Sequence, residues 1–331
     1  MSVAAAGLAD AERGPRLAAL DVVRGGALAA MVIYHFAFDV SAIGLSDADV
    51  VGDLGWRLFA RSIAGTFLAL VGVNLVLATR RGLRLRSFLR RLALIGGAAA
   101  LVTIGTYWFT PHAFVFFGIL HAIALASVLA LPFLRLPVWL VAGAAVAVVA
   151  APALLSHPVF DAPALWWVGL STVEPISVDY VPLFPWFGVV LFGVVAGRLL
   201  TERAGDSAFA RRRPIGAGGR LVALAGRWSL AIYLVHQPVL VGALTLVEPF
   251  LTPSRAVVSS NFMANCVPTC RSNGQDASTC TARCGCMFDG LYGTDLFGLA
   301  SPALMTPDQS ARWRTIVEGC LAAASLRPPT E

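Results

Sequence analysis

Lysine is missing from this chain: all 25 basic residues are arginine. That excludes a Schiff-base lysine and the lysine of a phosphate-binding P-loop. Charge of either sign is sparse, 13% of residues against about 25% in ordinary soluble domains. Cysteine is absent from the first 265 residues. What is abundant is apolar: 57% of residues are hydrophobic and the mean hydropathy is +0.75. These values exclude a soluble globular domain and identify an all-α integral membrane protein. The formal charge of +6 and pI near 9.3 do not point to nucleic acid, because the arginines cluster in the short links between apolar runs. Nor is there a cleavable signal: Arg13 and Arg16 precede an apolar run that contains Asp21 and Arg24 and is longer than a signal core.

The apolar runs predict seven spanning helices, at 17–40, 57–79, 92–110, 114–134, 137–154, 182–200 and 222–249, each near the ~20 residues a bilayer requires. Arg80, Arg81, Arg84, Arg86, Arg90 and Arg91 fill the link after the second run. Arg203, Arg211, Arg212, Arg213 and Arg220 follow the sixth, and Arg135 marks the link between the fourth and fifth. The opposite links carry Asp47, Asp49, Asp53, Asp161, Glu174 and Asp179. By the positive-inside rule the N-terminus is cytoplasmic and the C-terminal segment faces outward, the periplasm if the membrane is a bacterial inner membrane. This gives a transmembrane domain at 1–249 and a cysteine-rich outward domain at 250–331, with residues 201–220 as a cytoplasmic loop.

All six cysteines, Cys266, Cys270, Cys280, Cys284, Cys286 and Cys320, lie in that outward domain. An oxidising compartment makes disulfides the favoured reading, with a zinc site as the runner-up. The two CxxxC units each place both sulfurs on one helix face, which suits two cross-linked short helices. Cys320 belongs to a third helix that starts with the capping-box pattern Thr306-Pro-Asp-Gln309 and continues as an apolar stripe, Trp313, Ile316, Val317, Cys320 and Leu321. No metal is expected.

Ionisable groups inside the first run single out a candidate site. A charge at the bilayer centre costs roughly 2.5–3.5 kcal/mol on insertion scales, so it marks function by default. Arg24 and His35 lie about 20° apart on the helical wheel, and Asp21 and Asp39 both fall at about 60°, so the four share one face. His35 is ~16 Å beyond Arg24 at helical rise, so the face is a polar track through lipid. Asp39, one turn after His35, can accept from one ring nitrogen while the other meets a substrate, the arrangement of an oriented general base. Arg24 and Asp21 could equally form a structural ion pair, and the Gly25-Gly26 pair permits close approach of a helix or ligand. Further cavity candidates are Arg61, His121, Asp179, Trp186, His236 and Gln237. Pro238 loosens the last run by removing a backbone donor. The arginines at 80–91 would suit a cytosolic polyanion, with Arg80 and Arg81 as phosphate contacts.

Leu20-Asp21-Val-Val-Arg24-Gly25 and Met31-Val-Ile-Tyr-His35-Phe-Ala-Phe-Asp39 together resemble the opening of the heparan-alpha-glucosaminide N-acetyltransferase catalytic-domain family in bacteria. Phe117-Gly-Ile-Leu-His121, the Asp179 to Trp186 segment and Ser229-Leu-Ala-Ile-Tyr-Leu-Val-His236-Gln237-Pro238 are similar to its later segments, in the same order. The resemblance covers residues 15–245, not the cysteine-rich tail. The Arg24–His35 spacing also resembles that of the acyltransferase-three proteins in the same broad group of transmembrane acyltransferases. The resemblance implies transfer of an acetyl or other short acyl group from cytosolic acyl-CoA to a sugar-like acceptor across the membrane. Arg24 and the inner arginines would meet the donor and His35 with Asp39 would deprotonate the acceptor; an acetyl-histidine intermediate is the variant route. Two other classes fit the residues alone: a transporter or flippase that uses the Arg–His–Asp track, and a membrane anchor that presents the cysteine-rich domain. Coenzyme A binding separates the first from the acyltransferase, and dispensable intramembrane charges would mark the second.

Overall fold

The computed structural model describes residues 18–43, 45–46, 48–111, 113–203, 216–247, 250, 255–272, 274–297 and 305–325. Among these, every regular element is helical. Eight α-helices come first: α1 (Ala18–Ala42), α2 (Leu54–Thr79), α3 (Leu85–Phe109), α4 (Ile119–Leu129), α5 (Val138–Leu155), α6 (Leu183–Arg203), α7 (Gly216–Arg227) and α8 (Ser229–Val247). Three more follow: α9 (Arg255–Ser272), α10 (Ala277–Leu291) and α11 (Pro307–Ser325). By contacts the chain divides into two compact units, Met1–Phe36 with Val51–Leu240, and Ala37–Val50 with Val241–Glu331.

Among the described residues, helices α1, α2, α3, α5, α6 and α8 are long and apolar enough to cross a membrane, six where the sequence predicts seven. The exception is the fourth run, expected at 114–134. Its helical part, α4, has 11 residues, about 16 Å at helical rise against a hydrocarbon core of about 30 Å. A one-turn 3-10 helix, Pro132–Leu134, follows it. The preceding residues, 114–118, are irregular, and neighbours supply hydrogen bonds that a helix would otherwise make internally. Thr103 Oγ1 donates to the Val115 carbonyl at 2.7 Å, and the Val115 amide donates to Thr106 Oγ1 at 2.9 Å. The amides of Val178 and Val181 donate to the carbonyls of Ala113 and Phe117 at 2.9 and 3.1 Å. Irregular backbone inside a membrane protein needs this kind of internal satisfaction.

Two other boundaries differ from expectation. Arg86, Arg90 and Arg91, read as link residues, lie in the first two turns of α3. The run at 222–249 is two helices that meet at Trp228, and residues 216–220, read as loop, are the start of α7. Arg13, Arg16, Arg211, Arg212 and Arg213 lie outside the described residues.

Helix α6 is the centre of the first unit, packed most extensively on α2 and α5. Leu68, Val71 and Leu75 of α2, Val141 and Ala145 of α5, and Val190, Leu191 and Val194 of α6 form the buried core. Lipid tails are as apolar as leucine, so burial alone does not drive helices together in a bilayer; close packing does. The sequence supplies it with small residues. A Cβ on Gly72 would strike the Val190 carbonyl, and one on Gly193 would strike the Ala69 carbonyl. Gly193 and Gly197 form a GxxxG pair on α6 that faces α2. Large apolar side chains such as Leu94, Leu101, Ile104 and Val146 point outward, as lipid-facing surfaces do.

The C-terminal helices form a disulfide-bonded bundle. Cys266–Cys284 and Cys270–Cys280 stitch α9 to α10 as an antiparallel hairpin, each CxxxC unit presenting both sulfurs to the other helix. Cys286–Cys320 ties α11 to α10. All six sulfurs are used, which sets aside the zinc alternative. Helix α11 begins with the expected capping box: the Thr306 amide donates to Gln309 Oε1 at 3.0 Å and the Gln309 amide to Thr306 Oγ1 at 3.3 Å. Phe262, Phe288, Tyr292 and Phe297 make an aromatic cluster in this bundle. A bundle this small depends on its cross-links for stability.

Candidate functional site

The polar residues of the first unit collect in three places. The first is the start of α1, where Asp21 serves two guanidinium groups: Arg24 Nη1 at 3.2 Å and Arg227 Nε at 3.4 Å. Arg24 also reaches the Gly226 carbonyl, at 3.5 Å. The backbones of α1 and α7 touch here, because the Cβ positions of Gly25 and Gly226 are taken by the carbonyls of Val222 and Asp21. The absence of side chains at these two glycines therefore serves helix packing. Arg91 of α3 adds a further like charge near Arg24. Two arginines on one carboxylate, with a third near Arg24, leave a net positive site.

The second place is around the start of α4. Asp179 Oδ2 accepts from the Ile119 amide at 3.0 Å and from the Tyr233 hydroxyl at 3.2 Å, a carboxylate at a helix N-terminus where the dipole favours it. Burial pushes the Asp179 carboxyl up from its usual range, and these two donors pull it back. His121 is committed on both nitrogens. Its Nδ1 accepts from the Gly118 amide at 3.2 Å, so Nε2 carries the proton and points to Thr103 Oγ1 at 3.2 Å, which in turn donates to Val115. That geometry makes His121 a cap and brace. Beside it, Tyr180 donates to the Trp166 carbonyl at 2.6 Å, and burial with nearby Glu174 pushes its phenol up to about 12. Asp161 holds the same loop by accepting from Ser171 and Thr172, bonds that keep its carboxyl below the usual range.

Substituting Asp179 by Ala removes the acceptor for both Ile119 and Tyr233, and an unmet buried donor costs about 1–3 kcal/mol. The expected result is a clear fall in melting temperature in detergent. Asp179→Asn recovers most of it, since the amide oxygen can accept the same two bonds.

The third place is the far end of the α1 polar face. The ring of His35 stands 5.0 Å from that of His236 on α8, centre to centre, at an interplanar angle of 58°. Tyr34 lies edge-on to His35 at 5.7 Å. His236 Nδ1 is 2.6 Å from the Tyr233 carbonyl, and Tyr233 is the residue whose hydroxyl reaches Asp179. The second and third places are thus joined through one residue. Asp39, one turn further along α1, is buried and belongs to the second unit.

Of the other candidates, Trp186 packs in the α6 core against Gly65 of α2, and Gln237 follows His236 on α8. Arg61 on α2 and Arg80 and Arg81 after it are exposed. Sequence reading missed Thr103, Arg91 and Arg227 as parts of these groups. Thr103 carries no local signal; Arg91 was visible only as a member of an arginine-rich link, and Arg227 fell inside the apolar run at 222–249.

A family model described as "Heparan-alpha-glucosaminide N-acetyltransferase, catalytic" matches residues 16–238, about two thirds of the chain. The match takes in α1 through the first half of α8, with all three polar groups, and stops before the disulfide-bonded bundle. No curated protein and no solved structure matches.

Proposed function

Because the chain belongs to the heparan-alpha-glucosaminide N-acetyltransferase catalytic family, and so is a membrane acetyltransferase in type, we propose that it carries acetyl from cytosolic acetyl-CoA to a sugar-like amine or hydroxyl on the periplasmic side of a bacterial inner membrane. The observation that carries this reading is the unbroken helix α1. It holds Arg24 near one end, among the arginines, and His35 some eleven residues on, facing a second histidine.

At the inner end, the Asp21–Arg24–Arg227 group with Arg91 near Arg24 carries net positive charge that suits the phosphates of the donor, with Arg80 and Arg81, on the link before α3, as outer contacts. At the other end, His35 takes the proton from the acceptor as its nitrogen or oxygen attacks the thioester carbonyl. The carbon–sulfur bond breaks and the thiolate leaves, to be protonated as free coenzyme A. Asp39, one turn after His35 in the sequence of α1, adds a carboxylate to this polar face. The arginine-rich links support a cytoplasmic N-terminus, with the donor entering from the arginine side.

The test is release of free thiol from acetyl-CoA by the purified protein in nanodiscs, against a panel of amino sugars and neutral sugars. Acceptor-dependent thiol release with matching acetylated product supports the reading. Movement of the sugar across a vesicle membrane without thiol release supports a transporter instead.

A further inference from the structure

His236 has its tautomer decided by its surroundings. Nδ1 lies 2.6 Å from the Tyr233 carbonyl oxygen, which can only accept, so the proton sits on Nδ1 and the lone pair on Nε2. Nε2 is fully enclosed and meets no hydrogen-bond partner among the described residues. An enclosed acceptor with nothing to accept from is unusual, because buried polar atoms are nearly always paired. The nearest ring is that of His35, 5.0 Å away between centres, the span of a hydrogen bond between two imidazoles. The tilt of 58° is corrected by turning one ring about its terminal torsion, which is a broad and soft rotation. Tyr233 is anchored at its hydroxyl by Asp179, so the carbonyl that fixes His236 is itself held in place.

We infer that His236 is the proton-accepting partner of His35, storing the acceptor's proton at Nε2 while acetyl is transferred. This rests on the acetyl-transfer reading above. As the acceptor nitrogen or oxygen bonds to the acetyl carbon, its proton passes to the free nitrogen of His35. The proton on the other His35 nitrogen passes to His236 Nε2, so His35 stays neutral and His236 becomes the cation. The carbon–sulfur bond breaks, and the thiolate then recovers a proton by the reverse path. One proton leaves the acceptor and one reaches the thiol, with both histidines restored. The arrangement removes the need to hold an imidazolium next to the acceptor's new amide or ester.

The test compares His236→Gln and His236→Ala with wild type for acetyl-CoA-dependent thiol release, donor affinity and monodispersity in detergent. Gln keeps a donor for the Tyr233 carbonyl but cannot hold a proton, so kcat should fall by about 10²–10³-fold with donor affinity unchanged. Imidazole added to His236→Ala should restore part of the turnover by filling the vacated space. Wild-type kcat in His236→Gln overturns the inference and leaves the acetyl-transfer reading standing. If His236→Gln fails to fold, the Ala variant decides: loss without imidazole rescue, accompanied by lost donor binding, makes His236 part of the scaffold and overturns the inference. A wild-type protein that neither binds nor consumes acetyl-CoA removes the reading and the inference together.

Discussion

Replacing His35 by Ala is expected to lower acetyl transfer by about 10²–10⁴-fold, the contribution of a positioned general base, while donor binding and folding persist. The reason lies in how little else His35 does. It is half-buried, and its ring contacts are to Tyr34 and His236, neither of which depends on it for a backbone bond. The small residues that set the position of α1 lie ten residues away, at Gly25 against Val222. A loss confined to turnover, read from initial rates with melting temperature as the control, matches that picture. Equal turnover in wild type and His35→Ala would take His35 out of the chemistry.

Gly193→Ala should produce a large loss of stability in the first unit. The new Cβ would fall on the Ala69 carbonyl oxygen, and backbone on both sides cannot turn away as a side chain can. Overpacking of a side-chain core costs typically 1–3 kcal/mol, and here helices α2 and α6 must separate, so a loss of about 3 kcal/mol is expected. The same change at Gly105 on α3, where no atom lies within 4 Å of the added Cβ, should be neutral or stabilising by about 0.5–1 kcal/mol. Thermal unfolding of the two variants in detergent checks the contrast in sign. Because α6 follows directly on the loop that carries Asp179, separation of α2 and α6 is expected to lower activity as well.

What could be read from the sequence was what depends on period and local chemistry. The shared face of Asp21, Arg24, His35 and Asp39 follows from helical angle alone, and α1 is indeed unbroken across all four. The cross-linked CxxxC hairpin and the Thr306 capping box were legible for the same reason, since both are set within a few residues. What was not legible depends on distant partners. The run at 114–134 is as apolar as its neighbours, and only the hydroxyls of Thr103 and Thr106 and the carboxylate of Asp179 explain why its first part leaves the helix. The role of His121 was hidden for the same reason: its two nitrogens are taken by Gly118 and Thr103, one local and one 18 residues away. The break at Trp228 separates a glycine-rich, arginine-bearing helix from an apolar one, yet hydropathy joined them because both flank the same apolar stretch. The pairing of His35 with His236 joins the first and last helices of the matched region, which no local pattern could supply.

Equilibrium binding of acetyl-CoA to the purified protein in nanodiscs, with Arg24→Ala alongside, decides whether this membrane domain takes an acyl-CoA donor. Arg24 is one of several arginines in this group, so its removal should weaken binding by roughly tenfold, the scale of one charge-assisted contact, without abolishing it. Saturable binding by wild type, reduced in Arg24→Ala, is the predicted result. A folded, monodisperse wild-type protein that shows no saturable binding would contradict the account.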